Sequence, residues 1–117
     1  MHAIVVPRRR SNPPPFLLAI AAARLQGETI SVEAEQLVVE LFQAEGRSLV
    51  RLARLFVDDR DAAEDIVQEA FLRLARHAGR IDALDRAPAY LRSIVLNLAR
   101  DHNRRGLVSL RHHATAG

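Results

Sequence analysis

Residues 61–80 read DAAEDIVQEAFLRLARHAGR, and the fold turns on whether this stretch is a helix. Ile66, Val67, Ala70, Phe71, Leu74 and Ala78 recur at the three- and four-residue spacing of one helical face. Asp61 followed three residues later by Glu64 reads as a capping box with the aspartate at the cap, and Gly79 supplies the left-handed residue that ends a helix. The spacing therefore predicts a helix from Ala62 to about Ala78. Along residues 61–80, four acidic side chains precede three arginines, an acidic face in a chain whose net charge is +3.

Upstream, Ser31 can cap a helix whose first turn holds Glu33 and Glu35, where the dipole favours acid. Apolar residues at 38, 41, 42, 49, 52, 53 and 56 extend that helix to about Val57. Gly46 interrupts it at a cost of about 1 kcal/mol relative to alanine, so a bend or break is expected between Ala44 and Arg47. Downstream, after the loop GRIDALDRA, Pro88 opens a third helix that turns Leu91, Ile94, Val95 and Leu98 inward and is expected to end at Gly106. No stretch alternates as a strand does. The expected fold class is all-α: a small three-helix bundle over residues 31–106, a tail over 107–117, and an N-terminal extension, residues 1–30, that is loosely ordered or a short helix. Within that extension Pro15 can start a helix from Phe16 to Gln26 that Gly27 stops. Its run FLLAIAAA imitates a signal peptide, but the preceding NPPP interrupts the pattern, and the run is far short of the about 20 apolar residues of a membrane span, so none is expected.

At 117 residues the chain has room for one small core. It has no cysteine, which removes disulfides and thiolate metal sites and agrees with a reducing cytoplasm. All 17 basic residues counted as Lys+Arg are arginines, each a planar fork suited to phosphate. Charge is partitioned: +4 over residues 1–27, −7 over 28–69 and +6 over 70–117. Such asymmetry suggests two partners of opposite demand, a polyanion for the C-terminal part and something basic for the middle.

Two constellations carry this further. On the helix of residues 62–78, Asp65, Gln68, Glu69 and Leu72 fall three or four apart, away from the Phe71 and Leu74 face. Acid, amide and an exposed leucine suit docking against a basic helix; the same spacing equally describes a solvated face on which Glu69 pairs with Arg73. On the third helix Tyr90, Asn97, Asp101 and Arg104 form one stripe flanked by Arg92, Arg100 and Arg105, which supplies stacking, base-edge and phosphate contacts for a single strand. Tyr90 alternatively completes the core with its hydroxyl at the surface. Catalysis is not expected: DDRD reads as caps rather than a cation site, and the five histidines lack ligand spacing, so no metal or other cofactor is implied.

With these residues in view, LVRLARLFVDDRDAAEDIVQEAFLRLARHAGRIDALDRAPAYLRSIVLNLARDHNRR, about Leu49 to Arg105, resembles the second conserved region of the extracytoplasmic-function sigma factors of bacterial RNA polymerase, with weaker similarity back to about Leu37. The order AEDIVQEAF, AYLRSIVLN, RR carries the resemblance. It implies a transcription initiation subunit, not itself an enzyme, working in the cytoplasm. Asp65, Gln68, Glu69 and Leu72 would dock on the β′ clamp helices of the polymerase core. The loop 79–87, with Arg80, Ile81 and Arg86, and the following helix, with Tyr90, Asn97, Arg100, Arg104 and Arg105, would hold the melted non-template strand of the minus-ten promoter element. An anti-sigma factor is the further partner it allows. Tyr90 stands where the family often has tryptophan, and Ile81 where an aromatic is frequent. Family members continue into a helix-turn-helix domain that reads the minus-thirty-five element, whereas this sequence ends at Gly117, so the domain is expected to act alone or as a remnant. The rival reading is a module that docks on polymerase or an anti-sigma protein without productive promoter recognition.

Overall fold

A computed structural model describes residues 13–78 and 86–116, with side chains described through residue 105. Within those residues lie four helices: α1 (Pro15–Leu25), α2 (Val32–Ala53), α3 (Arg60–His77) and α4 (Ala87–Ala116). The all-α expectation holds, and no strand occurs among the described residues. Helix α3 is the hub, packing against the other three, while α2 also packs on α4. Its buried arc is correspondingly broad: Ala63, Ile66, Val67, Ala70, Phe71, Leu72, Leu74 and Ala75.

The N-terminal segment takes the short-helical form. Pro15 sits at the start of α1, and Gly27, at φ 93°, adopts the left-handed backbone that ends it. Phe16 and Ile20 are each only 1% exposed. The Phe16 ring stacks on Phe71 at 5.3 Å and meets Phe42 edge-on at 5.4 Å, and Phe42 meets Phe71 at 5.4 Å, so one aromatic trio joins α1, α2 and α3. Arg24 ties down the connector: its guanidinium donates to the Ile30 carbonyl at 2.7 and 3.0 Å and to Glu35 at 2.6 Å. From α3, Arg76 grips Glu28 with two hydrogen bonds, 2.9 and 3.1 Å. The core contains no buried polar or charged side chain among the described residues.

Four local expectations are corrected. Helix α2 runs unbroken through Gly46, because the glycine makes room for a ring rather than a bend: a Cβ there would lie 3.2 Å from Phe42 Cδ1. The same helix stops at Ala53, and a turn closed by Leu55, Phe56 and Val57 amides on the Leu52 and Ala53 carbonyls carries the chain to buried Val57. The cap of α3 is Asp59, whose Oδ1 accepts the Asp61 amide at 3.0 Å, and Glu64 pairs with Arg60 at 3.2 Å instead of reaching back to Asp61. A capping box needs an extended residue at its first position, and here Asp59 is the extended one. Finally, α4 continues past Gly106 to Ala116. An interior glycine costs a helix only about 1 kcal/mol, and no proline follows to stop it. The cap expected at Gly79 lies outside the described residues.

Candidate functional site

On α3 the pairing of Glu69 with Arg73 is the one that the solvated-face alternative named. Asp65 is exposed, and Glu69 is half-exposed and pairs with Arg73 at 3.0 Å. That exposed pair contributes about 0.3–0.5 kcal/mol at most and leaves both side chains available to a partner. Leu72, expected to be an exposed apolar contact, is buried at 9%. The cause is the breadth of the arc that α1, α2 and α4 together cover on α3; a stripe drawn from one partner helix is too narrow.

Gln68 has a partner that spacing within α3 cannot reveal. Its Oε1 accepts the Phe16 amide at 2.8 Å. The first turn of a helix leaves its N–H groups without intrahelical acceptors, and Pro13, Pro14 and Pro15 have no N–H, so Phe16 carries the first donor that needs one. No side chain of α1 caps it. The amide of Gln68 thus caps α1 from α3.

Across from this face, α2 presents Arg47, Arg51 and Arg54, all exposed and spaced as one stripe. These residues, with Pro13–Pro15, Arg60, Glu64, Asp65 and Gln68, line one open groove between α2, α3 and the start of α1, and Arg60 pairs with Glu64 within it. Sequence reasoning missed it because the arginines sit in the segment of net charge −7, and only the tertiary fold separates them from the acids.

On α4, Tyr90 is 37% exposed, so part of its ring faces the surface and the rest packs on the bundle. Asn97 and Arg100 are exposed, as are Arg104 and Arg105 at the far end of the described side chains. From Tyr90 to Arg104 the helix rises about 20 Å, so the stripe presents an aromatic plate, an amide and cations in sequence. Among the described residues, four contacts hold the arginines of α4. The Arg100 guanidinium lies 5.9 Å from the centre of the Phe56 ring. Asp101 takes Arg104 at 2.7 Å and Arg105 at 2.9 Å. Arg92 is 4.0 Å from Glu45 of α2. Arg86 is exposed just before α4, whereas Arg80 and Ile81 lie outside the described residues.

The described surface thus carries acids and arginines over an apolar core. Among the described residues no group of acids and histidines could hold a metal ion, and no helix is long and apolar enough to cross a membrane. Residues 41–106, more than half of the chain, match the family model of Sigma-70 region 2, and the chain belongs to that family. It is therefore a sigma-factor domain with a role in transcription initiation, from a family of non-enzymatic domains whose partners are RNA polymerase core and promoter DNA. Searches of curated proteins and of solved structures returned no match.

Proposed function

We propose that this protein binds the β′ clamp helices of core RNA polymerase through Asp65, Gln68 and Glu69 of α3, and holds the melted non-template strand of the minus-ten element along α4. The observation that carries the reading is the exposed Tyr90–Asn97–Arg104 stripe on a chain of the Sigma-70 region 2 family. Tyr90 offers a face on which an unstacked base can lie, Asn97 offers paired donor and acceptor groups for a base edge, and Arg100, Arg104 and Arg105 meet phosphates. Arg86, and Arg80 and Ile81 of the preceding loop, extend the same track on the strength of the resemblance. The extracytoplasmic-function subtype, an anti-sigma partner and a cytoplasmic setting belong to this reading too.

The acid on α3 and the arginine on α4 then serve different partners, which accounts for the charge partition along the chain. Phosphate contacts release counterions, so strand binding falls steeply with salt, whereas specificity resides in Tyr90 and Asn97. The test is retention of a labelled minus-ten non-template oligonucleotide by core polymerase with and without the protein. Retention that needs both components, and that prefers the promoter strand over a scrambled one, is expected. Equal retention of scrambled strand would leave only a docking module.

A further inference from the structure

We infer that Phe56, in the turn that leaves α2, is a positioning residue for the nucleic acid strand, its ring holding Arg100 of α4 where the guanidinium meets a phosphate; this rests on the strand-binding reading above.

Arg100 differs from its neighbours on α4 in what holds it. Arg92 has Glu45 at 4.0 Å, and Arg104 and Arg105 share Asp101 at 2.7 and 2.9 Å. Arg100 instead lies over the Phe56 ring, its guanidinium carbon 5.9 Å from the ring centre and inside the about 6 Å at which a ring face attracts a cation. The two kinds of contact act differently on an arriving phosphate. A carboxylate neutralises its arginine, and the phosphate has to displace it. A ring attracts the cation through its quadrupole and leaves the charge whole, with the N–H donors of the planar fork still to be satisfied. Among the described side chains of α4, Arg100 is thus the arginine that is held in place without being neutralised.

Its placement suits the strand. Arg100 is exposed and stands three residues after Asn97 and four before Arg104, on the side of α4 that carries the stripe. Phe56 is half-buried and packs against the apolar core. Its backbone is fixed as well: the Phe56 amide donates to the Ala53 carbonyl at 2.9 Å, the Val57 amide donates to the same oxygen at 3.1 Å, and the Val57 side chain is buried. An arginine that moves freely in solution loses rotamer freedom when it settles on a phosphate, whereas one already resting on a fixed ring has lost part of that freedom beforehand and binds more tightly for it. A phenyl ring has no group that bonds a phosphate. The part left to Phe56 is to aim Arg100.

The experiment is an anisotropy titration of a fluorescently labelled minus-ten non-template oligonucleotide with the full chain at several salt concentrations. Phe56→Leu and Phe56→Met remove the ring and keep an apolar side chain, Phe56→Tyr keeps the ring, Arg100→Gln removes the cation, and Phe56→Leu is also placed in the Arg100→Gln background. Both ringless variants should bind about two- to fivefold more weakly, the factor of an exposed cation–π contact, and Phe56→Tyr should stay within about twofold of wild type. Arg100→Gln should flatten the slope of log affinity against log salt by about 0.7, the share of one phosphate contact to a single strand. In the Arg100→Gln background, Phe56→Leu should change strand affinity by less than about 1.5-fold. Equal losses from Phe56→Leu in both backgrounds would make the ring a packing residue only and would overturn the inference. So would unfolding of both ringless variants, or a gain of affinity in them, which would mean that the ring withholds Arg100 from the strand. If Phe56→Leu binds as wild type while Arg100→Gln loses affinity, the strand reading stands and the role of Phe56 is refuted. If wild type itself does not bind the strand, the strand reading fails, and the role of Phe56 with it.

Discussion

Replacing Phe16 by alanine tests whether α1 belongs to the core that positions the proposed docking face. The side chain is 1% exposed and contacts two rings at 5.3 and 5.4 Å. Truncating a buried phenylalanine costs about 3–5 kcal/mol, and the lost aromatic geometry accounts for part of that range. With a urea m-value of about 1.5 kcal/mol/M for a small domain, a loss of roughly 4 kcal/mol lowers the unfolding midpoint by about 2–3 M. Leu18→Ala is the control on the same helix, since Leu18 is 76% exposed, and its midpoint should move by less than about 0.5 M. Gln68→Ala should cost about 1 kcal/mol by leaving the Phe16 amide uncapped. Both act through the seating of α1, so in the Phe16→Ala background the Gln68 change should cost clearly less than alone. Urea titration followed by far-UV circular dichroism measures all four variants. A Phe16→Ala midpoint indistinguishable from that of Leu18→Ala would refute the seating of α1 in the core.

Three further outcomes are expected. Tyr90→Ala should weaken minus-ten strand binding by about 1–3 kcal/mol in an anisotropy titration with little change in thermal midpoint; a loss of folding equal to the loss of binding would return Tyr90 to a structural role. Asp101→Asn frees Arg104 and Arg105 from their shared carboxylate, so affinity for an unrelated single strand at low salt should rise severalfold; a fall would show that Asp101 orients those arginines productively. Gly46→Ala should gain none of the about 1 kcal/mol that alanine normally adds to a helix, because the new methyl meets Phe42 at 3.2 Å; a full gain in the urea midpoint would mean that the ring yields freely.

What could be read from the sequence follows the range of the interactions. Helix periodicity is local, so α3 and its Ile66–Val67–Phe71–Leu74 stripe were legible, as were Ser31 as a cap, the start of α1 at Pro15 and its stop at Gly27. The cap of α3 was missed because DDRD offers three aspartates within four residues, and which one adopts the extended backbone depends on how the α2 turn delivers the chain. Leu72 was misplaced because its burial depends on how many helices surround α3. The Gln68 contact with Phe16 joins residues 52 apart, and the arginines of α2 come to line a groove only because α3 packs beside them. Gly46 looked like a helix breaker, when what it accommodates is a ring one turn earlier in the same helix.

The docking of α3 on polymerase is tested most directly by core affinity of the full chain against its Asp65→Arg/Glu69→Arg variant. Both positions lie on the surface of α3, so the variant should fold as wild type does, with unchanged far-UV ellipticity. On the proposed docking, reversing two charges replaces attraction to a basic helix by repulsion, and a loss of at least about a hundredfold in affinity, or about 2.7 kcal/mol, is expected at moderate salt. Wild-type protein binding core polymerase, and the folded variant failing to, is the predicted result. A folded variant that binds core as tightly as wild type would contradict the assignment of this face to the polymerase.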